Sequence, residues 1–215
     1  FIVIYVSGSI ISEPWLEDNA NAILNAFEPG IMGGQAIAEV LFGDVNPSGK
    51  LPVTMPRSVG QLQMVYNHKP SMYIHRYNSE KKTPSHPFGF VMSYSTFELS
   101  APKVSQTVFS GQDDNITVAV EVTNTGEMSG DEVIQLYIRD NISSYTRPVK
   151  ELKAYQRVSL EPGEKKIVSL QITAESLAMY DSEFRYVVEE GEFTIMTGNS
   201  SDDKDLKSTV IKVSE

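Results

Sequence analysis

The chain has 215 residues, 40% of them hydrophobic, enough for one good core or two modest ones, and two domains is the better expectation. Its 18 basic and 28 acidic residues leave a net charge of −10, which repels phosphate backbones and removes nucleic acid as a partner. The absence of cysteine excludes disulfides, thiolate nucleophiles and cysteine-based metal sites, and no apolar run approaches the roughly 20 residues that span a bilayer.

Phe1-Ile-Val-Ile-Tyr-Val6 is a continuous apolar, β-branched run ending at Ser7-Gly8-Ser9, the pattern of a strand buried on both faces in a parallel sheet. It lacks the basic start and cleavage region of a signal peptide, so the leader of an exported parent is expected upstream. Leu16, Ala20, Ile23, Leu24 and Phe27 fit one face of a helix running from Trp15, with Trp15 expected to be buried and Pro29-Gly30 as the stop. A second helix is expected over 35–42 and a short strand over 51–54, making a β-α-α-β unit. Prolines 56, 70, 84 and 87 break the periodicity of 55–95 and predict a long surface loop.

After Pro102 the pattern becomes short alternating segments at 117–123, 132–139, 149–160, 165–173, 184–188, 192–197 and 209–213. Turns at Asn124-Thr125-Gly126, Glu161-Pro162-Gly163-Glu164 and Glu190-Gly191 separate them. About seven strands in roughly 110 residues predict an immunoglobulin-like or fibronectin type III-like sandwich. The fold class is therefore an α/β fragment over residues 1–100, the second half of an α/β domain, followed by an all-β sandwich over 101–215.

Candidate chemistry is sparse. Asp113-Asp114, Glu189-Glu190 and Asp202-Asp203-Lys204-Asp205 lie in polar turns, where solvated acid pairs are common, and the last run lacks the glycine and distal glutamate of a calcium loop. His68, His75 and His86 have no metal-ligand spacing, so no metal is expected. Glycines 30, 33 and 34 precede a helix without the lysine of a phosphate loop, which points to helix entry and tight packing. Tyr66, His68, Tyr73 and Tyr77 form the candidate substrate-contacting group, because amphipathic aromatic side chains on a long loop suit a sugar-binding rim; ordinary loop packing is the competing reading.

Several stretches, in order, carry a family resemblance. They are Val6-Ser7-Gly8, the run from Ala22 to Gly30, and Gly33-Gly34-Gln35 through Gly43-Asp44. Asn46-Pro47-Ser48-Gly49-Lys50-Leu51-Pro52 follows, then Tyr66-Asn67-His68-Lys69. Pro87-Phe88-Gly89-Phe90 with Ser93-Tyr94-Ser95-Thr96-Phe97, Glu132 to Tyr137, and Arg147 to Leu152 complete the series. The ordered set resembles the C-terminal region of family 3 glycoside hydrolases, the β-glucosidases and β-xylosidases, and Tyr66 to Lys69 resembles a subgroup with bacterial periplasmic members. Departures occur at Ser9-Ile10, where the family has Arg-Pro, and at Val91-Met92, where it has Gly-Leu; the asparagine-to-proline motif is expected to be structural, with Gly49 free to take positive φ.

The resemblance implies a retaining β-glycosidase that hydrolyses β-linked glucosides, xylosides or their oligosaccharides without a cofactor, in a periplasmic or secreted setting. It also implies that both catalytic carboxylates, an aspartate in an N-terminal barrel and a glutamate in the first half of the α/β domain, precede Phe1. No catalytic residue is assigned to this chain, which is expected to be inactive alone. A non-catalytic carbohydrate-binding or structural sandwich module is the alternative. Strand 1–6 should expose apolar faces and an unpaired edge, which predicts association with a second copy or with the missing barrel and first half of the α/β domain.

Overall fold

The computed structural model describes residues 1–61, 63–70, 81–111 and 113–214. The N-terminal part is a parallel pair, β1 (Ile2–Val6) and β2 (Ala22–Phe27), with α1 (Pro14–Asn19) crossing between them and α2 (Gly33–Phe42) following. The helix expected from Trp15 to Phe27 is therefore a short helix and then a strand, and the unit is β-α-β-α. Ala20 leaves the helix in an extended conformation. Asn21 then fastens the new strand to the old one: its N–H donates to the Phe1 carbonyl at 2.9 Å and its side chain accepts from the Phe1 ammonium at 2.5 Å. Adjacent Ile23 and Leu24 satisfy a helical face and a two-sided strand equally, and pairing to β1 decides between them.

No strand forms over 51–54. Leu51 exchanges backbone hydrogen bonds with Gly89 and Phe90, and Met55 makes an isolated bridge with His86, but Pro52 has no N–H and the ladder cannot continue. Gly89 takes positive φ, at 78°, whereas Gly49 and Val91 do not. Trp15, expected to be buried, is 61% exposed and stacks on Phe1, because none of the described residues covers the outer side of α1. Among the described residues up to 94, the buried apolar side chains are Tyr5 and Met55, while Ile2, Val6, Ile31, Met32 and Phe42 face solvent. A parallel sheet ordinarily has both faces covered, so this part holds apolar surface without a core.

The core lies in the sandwich. One sheet has the order β5 (Val108–Phe109), β13 (Lys207–Val213), β12 (Gly191–Gly198), β7 (Gly130–Asp140), β8 (Glu151–Leu160). The other joins β3 (Phe97–Leu99), β4 (Lys103–Val104) and β9 (Lys165–Thr173) to β6 (Asn115–Asn124). Alternation sends Ile116, Val118, Val120 and Val122 of β6 inward against Ile134, Leu136 and Ile138 of β7 and Phe193 and Ile195 of β12. Burying each such side chain contributes about 1.5–3 kcal/mol. Gly163, at φ 76°, turns β8 into β9 as its sequence predicts. The strand expected over 184–188 is instead half of a small hairpin, β10 (Met179–Tyr180) with β11 (Tyr186–Val187), set after the short helix α3 (Ala174–Leu177) and outside both sheets.

Candidate functional site

The motif residues converge on the joint between the parallel pair's segment and the sandwich. Asn46 donates to the Ser129 carbonyl at 3.0 Å, and its side-chain oxygen accepts from Ser93 Oγ at 2.8 Å and Tyr94 N–H at 2.9 Å. Ser48 Oγ accepts from Arg157 at 2.7 Å. Lys50 Nζ lies 2.6 Å from Glu132 on β7 and donates to the Asn199 carbonyl at 3.0 Å. Four residues apart, Asn46 and Lys50 thus reach two different parts of the sandwich.

A second layer is aromatic. Tyr66 stacks on Phe88 with centroids 4.4 Å apart and meets Tyr137 edge-on at 5.7 Å, and its hydroxyl accepts from the Leu152 N–H at 3.3 Å. Beneath the rings, Gln135 donates to the carbonyls of Gly89 (3.2 Å) and Asn199 (2.9 Å) and accepts from the Tyr137 hydroxyl. Burial pushes the Tyr137 phenol far above its ordinary pKa, so it is a hydrogen-bond donor at all physiological pH. The Phe88–Phe97 segment is packing between the two parts.

Above this joint lies a groove of about 1020 Å³ between β1–β2, α2, the 45–51 segment and the sandwich edge. Glu17 and His86 line it and form a 3.0 Å pair, with the His86 ring stacked on Phe90 at 4.8 Å. Glu17 Oε1 and Tyr5 Oη are buried with no hydrogen-bond partner among the described residues. Burial, followed by the charges of Glu17 and Glu13, raises the Tyr5 pKa. Asp131, also on the groove, is held below the usual carboxylate range by hydrogen bonds from Ser159 and Arg157. A retaining glycosidase needs one free carboxylate nucleophile and a second carboxyl with a raised pKa; Glu17 and Asp131 are both engaged.

The acidic runs serve local structure. Asp114 accepts from the N–H groups of Ser110 and Asn115 and from Gln106, which lower its pKa. Glu189 accepts from Ser144, with the same result. Asp202 caps a single 3₁₀ turn over Asp203–Asp205, Asp203 pairs with Lys150, and Asp205 accepts from Ser200 at 2.6 Å. Burial raises the Asp140 pKa against the pull of Arg147, 3.6 Å away. Among the described residues, no three His, Asp or Glu side chains are arranged to hold a metal ion, and no helix is long and apolar enough to cross a membrane.

Of the four candidate rim residues, Tyr66 is in the joint. His68 is half-buried, with Nδ1 3.0 Å from the Lys69 carbonyl and its own carbonyl accepting from Val149 N–H at 2.9 Å. Tyr73 and Tyr77, like His75, lie outside the described residues. The Lys50–Glu132 and Glu17–His86 pairs escape sequence reasoning, since partners 82 and 69 positions apart leave no local signal.

Residues 1–94 match the Glycosyl hydrolase family 3 C-terminal domain, and residues 132–201 match the Fibronectin type III-like domain. The chain is 41% identical over 215 residues to a β-xylosidase of Formosa agariphila, covering 99% of this chain and 30% of that protein. It is 40% identical over 210 residues to a periplasmic β-glucosidase of Salmonella typhimurium, covering 93% of this chain and 27% of that protein. A solved β-glucosidase structure from Erythrobacter marinus superposes with a TM-score of 0.94 at 43% identity, over 99% of this chain and 28% of that one. The chain spans less than a third of the length of each. With both domain matches in order and this identity across nearly all of its length, the chain belongs to glycoside hydrolase family 3, as the C-terminal region of that family.

Proposed function

We propose that this chain is the non-catalytic C-terminal scaffold of a retaining β-glycosidase acting on β-linked glucosides or xylosides in the periplasm or outside the cell. Residues 1–100 are the second half of its α/β domain and 101–215 its sandwich, except that β3 at Phe97–Leu99 lies before that boundary and pairs with β6 as part of the sandwich sheet. The observation that carries the reading is a half-domain with apolar faces and no core, locked by motif residues onto a sandwich with a complete one. The uncovered face of β1, β2 and α2 is the seat of the preceding half of the α/β domain. The names of the relatives and the small share of their length that the chain spans support this. The nucleophilic aspartate and the acid/base glutamate belong to the segments that complete the fold.

The loop bearing Tyr66, His68, Tyr73 and Tyr77 borders the entrance to the active site in this reading. Tyr66 and His68 fasten the stretch before residue 71 to Leu152 and Val149 of the sandwich, which gives the loop a fixed starting point. In a longer form that carries the barrel, His68→Ala and Tyr73→Ala are expected to raise KM for disaccharides roughly tenfold, the size of one lost ring or hydrogen-bond contact. Unchanged kinetics on several disaccharides would reject the loop's role. Tyr66 is unsuited to the test because its loss would loosen the joint.

A further inference from the structure

The sandwich carries a second exposed surface, on the β10–β11 hairpin outside its two sheets. The β10–β11 hairpin holds three aromatic rings in solvent: Tyr180 is 67% exposed, Phe184 86% and Tyr186 47%. Tyr180 and Tyr186 are directly paired across the hairpin, with ring centroids 4.9 Å apart and planes tilted by 46°. The Tyr186 hydroxyl donates to the Glu175 carbonyl at 3.1 Å, which fixes that ring.

The turn between them is wound around Asp181. Its carboxylate accepts from the N–H groups of Glu183 and Arg185 and from the Arg185 guanidinium, all at 2.8–2.9 Å, and its carbonyl accepts from the Phe184 N–H at 3.1 Å. Within this turn Phe184 takes φ 59°, a left-handed conformation that is unfavourable for a bulky side chain and persists only where the surroundings over-determine it. The consequence is a backbone turn that presents the large apolar ring of Phe184 to solvent.

Size and charge say what such a surface fits. Aromatic side chains bury roughly 150–250 Å² each when covered, so at these exposures the trio offers about 300–500 Å². That is well short of the ~800 Å² each partner contributes to a stable protein interface. The charged residues of the hairpin and the turn before it are mainly acidic, Asp181, Glu183 and Glu175 against Arg185, which pairs with both Asp181 and Glu183. This disfavours anionic ligands and leaves Glu183 and Glu175, rather than the fully engaged Asp181, as acceptors for hydroxyl groups. Tilted, half-polar rings beside carboxylates suit the apolar face and hydroxyl rim of a pyranose.

We propose that the Tyr180–Phe184–Tyr186 hairpin is a platform for a neutral glycan chain, with sugar faces stacked on the rings and hydroxyls donating to the neighbouring carboxylates. That the chain is a β-linked glucan or xylan rests on the proposed function; the platform rests on the hairpin.

The test is calorimetric titration of the full chain with cellohexaose and with xylohexaose. Binding of at least one is expected, weakened about tenfold by Tyr180→Ala or Phe184→Ala, the scale of one lost aromatic contact. Phe184→Gly removes the ring and relieves the positive φ, so it should lose the same affinity while raising the thermal midpoint. Failure to bind either hexasaccharide, or binding unaltered by these substitutions, overturns the proposal. So does a change of oligomeric state in the variants, which would make the rings a protein contact. Aryl-glycoside turnover by a longer form is measured separately and should not change; if no such turnover exists but the titration succeeds, the functional reading falls and the platform stands.

Discussion

Replacing Lys50 by methionine is expected to destabilise the chain by about 3–5 kcal/mol, because it leaves Glu132 buried without its counter-charge. The pair is 2.6 Å apart, with side chains 12% and 5% exposed, and the same ammonium caps the Asn199 carbonyl. In a chain of this size the loss corresponds to a fall in Tm of roughly 6–20 °C. The double variant Lys50→Met/Glu132→Leu should recover most of it, since an apolar pair of similar volume avoids desolvating either charge. Thermal unfolding of the three proteins decides the matter: a single variant within about 1 kcal/mol of the parent would mean that the pair is solvated and that Lys50 does not lock the two parts together.

Gly89→Ala is the second large effect. Gly89 stands at φ 78°, and an added Cβ would press on the Gln135 amide, within 2.7 Å of Nε2. Gln135 is buried and cannot swing away without giving up its bonds to Gly89, Asn199 and Tyr137. Backbone strain and the disturbed network together should cost about 2–4 kcal/mol. Gly43→Ala is the control, since Gly43 has a similar φ of 82° but open space around its Cβ, and it should cost only the ~1–2 kcal/mol of the backbone. Equal losses in denaturant titrations of the two variants would show that the Gly89–Gln135 contact contributes nothing.

These two positions show where sequence reasoning reaches and where it stops. The long strands of the sandwich were legible because one face of each is buried and the other is wet: Ile116, Val118, Val120 and Val122 alternate along β6, and β9 runs from Lys165 to Thr173 as its pattern predicts. The two-residue strands β4 and β5 are too short for any alternation. β2 reads as helix in the sequence because neighbouring Ile23 and Leu24 fit a helical face as well as a two-sided strand, and only the parallel partner 20 residues upstream settles it. Asn46 and Lys50 stand in a recognisable motif, and their structural role follows from its turn residues, but their partners Ser129 and Glu132 could not be read from it. The parallel pair's segment presents the opposite case. Its sequence is that of a covered sheet, and the described residues leave its surface uncovered, so the composition records contacts that these residues do not supply.

The central claim is that the chain is scaffold and that catalysis requires carboxylates outside it. The most direct measurement is release of nitrophenol from aryl-β-glucoside and aryl-β-xyloside by the purified 215-residue chain, beside a longer form in which it follows the family's barrel and first half of the α/β domain. The account predicts turnover by the longer form and none above buffer by the chain. Robust turnover by the chain alone would contradict it, and would direct attention to Glu17 and Asp131 on the groove as the carboxylates responsible.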